Sequence, residues 1–272
     1  LSDEGTPRFA PLPRGARLDY RELGPADAPV ILLNRPLGGS MALWGDFART
    51  LAKDHRVLAF DPRGVGLSSD VPLFFGTRDM AKDAILLLDH LRIERAHVFG
   101  LSLGGMVASW IAADAPERTS RLILASTLPE VGAVSHRALA RALPLARAFA
   151  SRGSDVEARL VRGILSDEFV ARAPERVREI EATVRRAPST RKNLLALSFA
   201  AIRHRIAPVL AEHTPNALLL FGALDAIAGK RSEAELLRDV AHATLHHIPD
   251  AGHDVTLEQP EVTARRVLDF LD

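Results

Sequence analysis

The sequence predicts an α/β protein: a mostly parallel central sheet with helices on both faces, interrupted by an inserted helical cap. Three observations predict it. Short, almost continuously apolar runs, the sign of strands covered on both faces, alternate with amphipathic helical runs. Strand followed by helix, repeated, is the pattern of parallel crossover connections. The alternation then stops between 129 and 212, where helical segments follow one another with no strand candidate between them.

In order, the strand-sized runs are VILLN (30–34), RVLAFD (56–61), AHVFG (96–100), RLILAST (121–127), NALLLFG (216–222) and ATLHHIPD (243–250). The helix candidates between and after them are 43–53, 77–92, 103–115, 230–241 and 258–271. Within the helical insertion, Ser189 is a plausible N-cap for a helix with Leu195, Phe199, Ile202 and Ile206 on one stripe. Another helix opens at Pro174 and groups Val177, Ile180 and Val184. The expected division is a core of residues 1–128 and 213–272 with a helical cap over 129–212.

Composition narrows the function classes. With 35 Lys and Arg against 34 Asp and Glu, the net charge of +1 supplies no global field for nucleic acid or an anionic membrane. No cysteine is present, so disulfides, thiolate metal sites and a cysteine nucleophile are excluded. The opening LSDEGTPRFAPLPRG lacks a basic-then-apolar signal pattern, and no run approaches the ~20 apolar residues of a membrane span, so a cytoplasmic location is expected. Charge is uneven along the chain: residues 130–210 carry 14 Arg and one Lys against eight acids. That excess is either a solvated helical face or a cap that favours an anionic substrate or an acidic carrier protein.

The chemistry gathers around VFGLSLGGMV (98–107), where Ser102 stands in a G-x-S-x-G pattern between a strand and a helix. Gly100 and Gly104 would let a tight turn close and the following helix pack on the sheet. By itself the pattern arises by chance in roughly one chain of this size in ten to fifteen, and Ser102 could equally be an N-cap. A serine hydroxyl needs a base to take its proton, and the base needs a carboxylate to orient it. Asp225 follows the NALLLFG strand, and His253 follows ATLHHIP in the loop DAGHDVTLEQPE, both at the carboxyl edge where open α/β sheets place their sites. Asp250 and Asp254 flank His253 as rivals for the acid.

With GLSLGG, GALD, FDPRGVGLSS and DAGHDVTLEQPE read together, the chain resembles the α/β-hydrolase-fold enzymes from about residue 16 to 272. The resemblance implies Ser102 as nucleophile, His253 as general base and then acid, and Asp225 as the group that orients the imidazole. The family's first loop usually reads H-G-x-x-G, whereas here it is NRPLGGSMALW, with Arg35 and Pro36 in place of His and Gly. Aligned on the glycine, the resemblance implies the amides of Leu37 and Leu103 as the oxyanion donors. This loop is similar to that of 3-oxoadipate enol-lactonases and related bacterial esterases. The implied activity is hydrolysis of carboxylic esters, lactones or thioesters of a small-molecule acyl substrate, with no cofactor. Acyl transfer or cofactor-free perhydrolysis would use the same three residues, and a non-catalytic ligand receptor on a hydrolase scaffold is the rival from another class. Leu101 stands where relatives that cleave carbon–carbon bonds carry Asn.

The remaining candidates have two readings each. Arg35 either binds a substrate carboxylate or makes a salt bridge nearby. Met41, Phe74 and Phe75 either line the pocket or pack in the core. His242, His246 and His247 straddle a helix end and a strand with no accompanying carboxylate motif, so no metal site is expected. RGVG (63–66) lacks G-x-G-x-x-G spacing and reads as a turn.

Overall fold

The computed structural model describes residues 6–72, 74–130, 156–187, 189–206, 216–240 and 242–272. Eight strands form one sheet: β1 (Arg8–Pro11), β2 (Arg17–Leu23), β3 (Val30–Asn34), β4 (Arg56–Phe60), β5 (Ala96–Leu101), β6 (Thr119–Ala125), β7 (Ala217–Gly222) and β8 (Ala243–Ile248). Their spatial order is β1-β2-β4-β3-β5-β6-β7-β8. The first two pairings are antiparallel and the rest parallel. All five residues of β3 and all six of β7 are buried, which is why these strands read as unbroken apolar runs.

A two-residue period nevertheless divides the runs between two cores. Leu32, Leu58, Val98, Leu122 and Leu219 face one side. There they meet α2 (Thr77–His90), α3 (Leu103–Asp114) and α8 (Gly229–Asp239). Ile31, Val57, Phe99, Ile123 and Leu218 face the other, against α1 (Gly45–Leu51) and α10 (Pro260–Leu271). Each fully buried Leu, Ile or Phe contributes about 1.5–3 kcal/mol of transfer free energy, so both layers are needed to hold the sheet.

The strand-sized runs predicted from sequence all form strands, with ends shifted by up to two residues. Three adjustments follow from local chemistry. The β1–β2 hairpin is not apparent from apolar runs because Arg17, Asp19 and Arg21 interrupt it. In the fold Asp19 is buried, its amide donating to Ser68 Oγ at 2.8 Å and its carboxylate accepting from Arg21 at 2.5 Å. The expected helix at 43–53 begins as a tight turn at Met41–Trp44 before α1. At the C-terminus, a single turn α9 (Val255–Glu258) is separated from α10 by Gln259, because Pro260 has no amide proton and restarts the helix at its first position.

Between β6 and β7 lie four helices among the described residues: α4 (Val156–Ile164), α5 (Asp167–Arg172), α6 (Pro174–Arg186) and α7 (Arg191–Ile202). Residues 131–155, 188 and 207–212 of the expected cap lie outside the described residues. Val177, Ile180 and Val184 of α6 are buried together as expected, joined by Val161, Leu165 and Phe169 and, from the core, Leu43 and Leu257. The cap is thereby fastened to the core through apolar contacts. In α7 the expected stripe is overturned. Leu195, Phe199 and Ile202 are exposed, while Leu194, Leu197 and Ala200 are buried, and Ile206 is buried beyond the helix end. LLALSFAAI is apolar on nearly every side, so periodicity cannot choose its buried face. The helix is capped by Thr190, whose hydroxyl accepts from the Asn193 amide at 3.2 Å, rather than by Ser189.

Many cap arginines are paired locally with acids. Arg162 and Arg185 meet Glu181, Arg178 meets Glu175, and Arg176 meets Glu179 and Asp46. Among the described residues, no helix is long and apolar enough to cross a membrane.

Strand order reverses between β3 and β5, and the crevice beyond their carboxyl ends is where this architecture binds ligands. Gly104 lets α3 press against that edge: a Cβ there would fall 2.0 Å from the Asn34 carbonyl oxygen and 2.8 Å from that of Arg35. Backbone cannot yield as a side chain tip can. Gly104→Ala is therefore expected to destabilise the fold by about 3 kcal/mol, lowering Tm by roughly 6–10 °C in a thermal melt.

Candidate active site

Three loops bring the site together, and each is held by short-range backbone constraints. The first is the turn between β5 and α3. Ser102 has φ 55° and ψ −116°, a conformation that costs a non-glycine residue about 1–3 kcal/mol and persists only when its surroundings enforce it. Here they do so. The Ser102 amide donates to the Ala125 carbonyl at 2.9 Å, and the Ser102 carbonyl accepts from Gly105 N, Met106 N and Thr127 Oγ1 at 2.9, 3.1 and 2.7 Å. Gly100 makes room, since a Cβ there would lie 2.2 Å from the Gly104 carbonyl oxygen.

The second loop follows β7. The Asp225 amide donates to Gly222 O at 3.0 Å, closing a turn that aims the carboxylate inward, and Oδ1 accepts from the amides of Ile227 and Ala228 at 2.8 and 3.1 Å. The third loop follows β8 and carries His253. It is zipped to the Asp225 turn by Ala223 N donating to Ile248 O and Leu224 N donating to Ala251 O, both at 2.9 Å. A Cβ on Gly222 would sit 1.9 Å from Gly252 O, so only glycine allows the two loops to abut.

The result is a continuous chain of polar contacts. His253 Nε2 lies 2.8 Å from Ser102 Oγ, and Nδ1 lies 3.0 and 3.2 Å from the two carboxylate oxygens of Asp225. The His253 and Asp225 side chains are almost entirely buried, whereas Ser102 is partly exposed. Burial pushes the Asp225 carboxyl upward, but the His253 charge and hydrogen bond, with the Ile227 and Ala228 amides, outweigh it and hold Asp225 below the usual carboxylate range. Burial likewise favours neutral His253. The Asp225 carboxylate and its hydrogen bond, together with Asp254 and Glu258, prevail and hold the ring above the ordinary histidine value. An ionised Asp225 fixes the proton on Nδ1, leaving Nε2 to accept the serine proton. Neither Asp250 nor Asp254 takes that place. Asp254 caps α9 through the Thr256 and Leu257 amides.

The loop after β3 is closed by Gly39 N donating to Pro36 O at 3.1 Å, a turn in which the Leu37 amide is not the closing donor. Leu103 is the first residue of α3, so its amide is one that helix geometry leaves without an intrahelical acceptor. Gly38, at φ 73°, passes beneath the cap, with Leu194, Leu160 and Glu157 nearest to where its Cβ would be. Those cap residues carry no legible signal in the sequence, because which face of a cap helix meets the core is decided by tertiary packing.

The four secondary candidates differ in their surroundings. Arg35 is buried, pairs with Asp254 at 2.9 Å, donates to Thr256 Oγ1 at 3.3 Å and stacks on Trp44 at 4.5 Å from the ring centroid. Its salt-bridge reading is the one the contacts match, the guanidinium being engaged by Asp254 and Thr256 of the histidine loop. The Met41 side chain packs with Trp44 and Phe99 in the core, its amide donating to the buried Asp61 carboxyl at 2.6 Å. Phe74 is 83% exposed, and Phe75 packs against the core under Arg63. Two supports missed by sequence reasoning are Thr127, which braces the Ser102 carbonyl, and Glu258, which lies behind the histidine loop.

Known proteins share this architecture. A family profile described as the alpha/beta hydrolase fold matches residues 29–260. The chain is 32% identical over 259 residues to the protein of Variovorax paradoxus named "Putative carbamate hydrolase RutD", covering 93% of this chain and 96% of that one. It is 26% identical to 3-oxoadipate enol-lactonase 2 of Acinetobacter baylyi over 90% and 89% of the two chains. Among solved structures, a hydrolase from Pseudomonas aeruginosa superposes with a TM-score of 0.85 at 29% identity, covering 99% of both chains. The enol-lactonase of Burkholderia xenovorans gives a TM-score of 0.85 at 25% identity, over 97% of this chain and 99% of that one.

Removing the Arg35 charge would strand Asp254 in the interior. Arg35→Met is expected to lower unfolding free energy by about 3–5 kcal/mol in a denaturant titration. It should leave the preference between neutral and carboxylate-bearing substrates unchanged.

Proposed function

This chain belongs to the α/β hydrolase fold family, and on that premise we propose that it is a serine hydrolase acting on small acyl substrates through an acyl-enzyme. The observation that carries the reading is the unbroken contact chain from Ser102 Oγ through His253 to Asp225 on a strained, tightly braced turn. In the first half-reaction His253 Nε2 takes the hydroxyl proton while Ser102 Oγ attacks the carbonyl carbon. Leu37 and Leu103 donate to the tetrahedral oxyanion, and the positive end of α3 adds to that field. His253 then protonates the leaving group as its bond to the acyl carbon breaks. Water repeats the sequence to release the acid and restore Ser102. Asp225 stays ionised throughout and stabilises the transient imidazolium.

Carboxylic esters, lactones and thioesters are the substrates this chemistry takes most readily. The relative at 32% identity favours adding carbamates, whose carbonyl is open to the same attack. Exposure to a fluorophosphonate tests the reading. The protein should gain the mass of one phosphonyl group in an intact-mass measurement and Ser102→Ala none. No adduct on the folded protein would count against it, and hydrolysis of an ester, lactone, thioester and carbamate panel then assigns the substrate class.

The pH dependence has a definite sign. His253 must be neutral to accept the serine proton, and its proton is held above the ordinary value near 6.5. The acid limb of kcat/KM should therefore have its midpoint above 6.5, with activity rising as pH increases through it. Asp225→Asn removes the anion that favours imidazolium. It should move that midpoint downward and reduce kcat by about 10⁴-fold.

A further inference from the structure

A second buried carboxylate stands behind the histidine loop and reaches across to the cap. Glu258 is 4% exposed and Ser166, the N-cap of α5, is 3% exposed. Glu258 Oε1 accepts from the Ser166 amide at 3.0 Å and Oε2 from the Ser166 hydroxyl at 2.5 Å. The same hydroxyl accepts from Phe169 N at 3.1 Å, so it cannot turn away without uncapping α5. The Gly252 amide, immediately before His253, also donates to Glu258. A Cβ on Gly252 would lie 2.7 Å from Glu258 Oε1 and 2.8 Å from Ser166 N, which shows how tightly the three groups are pressed together. Finally, the amide of His253 itself donates to the carbonyl of Ile164, the last residue of α4, at 3.2 Å.

The backbone on which His253 stands is thus gripped by the cap. One contact is direct, from His253 N to Ile164 O. A second runs from Gly252 through Glu258 to Ser166, two residues further along the cap from Ile164, and at the loop's start Arg172 of α5 donates to the Asp250 carbonyl at 3.2 Å. We infer that Glu258 and Ser166 are positioning residues for His253, making correct seating of the cap a condition for the imidazole to stand between Ser102 and Asp225. This rests on the proposed roles of Ser102 and His253. Glu258 acts through the loop backbone and, as an anion, through space. The charged groups facing His253 are Asp225, Asp254 and Glu258, and Asp254 is offset by Arg35. Burial pulls Glu258 toward its neutral form, against the donors from Ser166 and Gly252 that favour the carboxylate.

The experiment compares the full chain with Glu258→Gln, Ser166→Ala, Ser166→Thr and, as a control for a loosened cap, Arg176→Ala, which removes a cap–core ion pair made at Asp46 of α1 instead of at the histidine loop. Two readouts are taken: the rate of Ser102 labelling by a fluorophosphonate, and the NMR titration midpoint of the His253 ring. Glu258→Gln should slow labelling at least tenfold and lower the midpoint by about 0.5 pH, because an anion near the ring is lost. Ser166→Ala should slow labelling without lowering the midpoint, and Ser166→Thr should restore the rate. Where substrate turnover is measured, kcat should fall with KM within twofold. Labelling within twofold of the native rate in both Glu258→Gln and Ser166→Ala, with no shift in midpoint, overturns the inference. So does a loss in Arg176→Ala as large as theirs. If the native protein is not labelled, the proposed function fails, while the His253 titration in Glu258→Gln still decides whether Glu258 acts on the ring. Should Glu258→Gln fail to fold, Ser166→Ala against Ser166→Thr decides the positioning role.

Discussion

The architecture depends on a close approach of three backbones at the carboxyl edge of the sheet. Gly100 lies against Gly104, Gly104 lies against Asn34 and Arg35, and Gly222 lies against Gly252, each at a separation that a single methyl group would violate. Because strands β3, β5 and β7 are locked into one parallel sheet, their ends cannot adjust independently. Side-chain-free contact at those ends is what lets the serine turn, the loop after β3 and the histidine loop meet. The polar chemistry is secondary to this constraint, since His253 can be 2.8 Å from Ser102 only if its loop closes on the Asp225 turn.

Energetically the site runs against the grain of the fold, and the surroundings compensate. A serine at positive φ, a buried imidazole and a buried carboxylate each oppose stability locally. Three ties to Ser102 O, two amides on Asp225 and two apolar cores absorb that cost. The same compensation fixes the protonation states, because an ionised Asp225 held by amides dictates the tautomer of His253. Arg35 belongs to this supporting structure as well. Its ion pair with Asp254 joins the loop after β3 to the loop after β8, so the two loops share one anchor.

Legibility in the sequence follows from how local each feature is. Strands covered on both faces write themselves as apolar runs, so VILLN, AHVFG and NALLLFG can be placed directly. The serine, acid and histidine can be picked out because each follows such a run and sits at its carboxyl end. The hairpin of β1 and β2 escapes notice because a buried, paired Asp19 looks like a surface charge in one dimension. In α7 the pattern points to the wrong face because the residues are apolar all round. Arg35 keeps two readings until its partner 219 positions away is placed beside it. Glu258 gives no signal of its own, since its meaning comes from Ser166 in the cap.

The most direct test of the site is a crystal structure of the protein carrying a boronate or phosphonate that mimics the tetrahedral intermediate. The expected result is a tetrahedral centre bonded to Ser102 Oγ, one of its oxygens within hydrogen-bond distance of both the Leu37 and Leu103 amides, and His253 Nε2 facing the leaving-group position. A centre bonded elsewhere, or an oxygen turned away from those two amides with His253 displaced, would contradict an acyl-enzyme mechanism at Ser102.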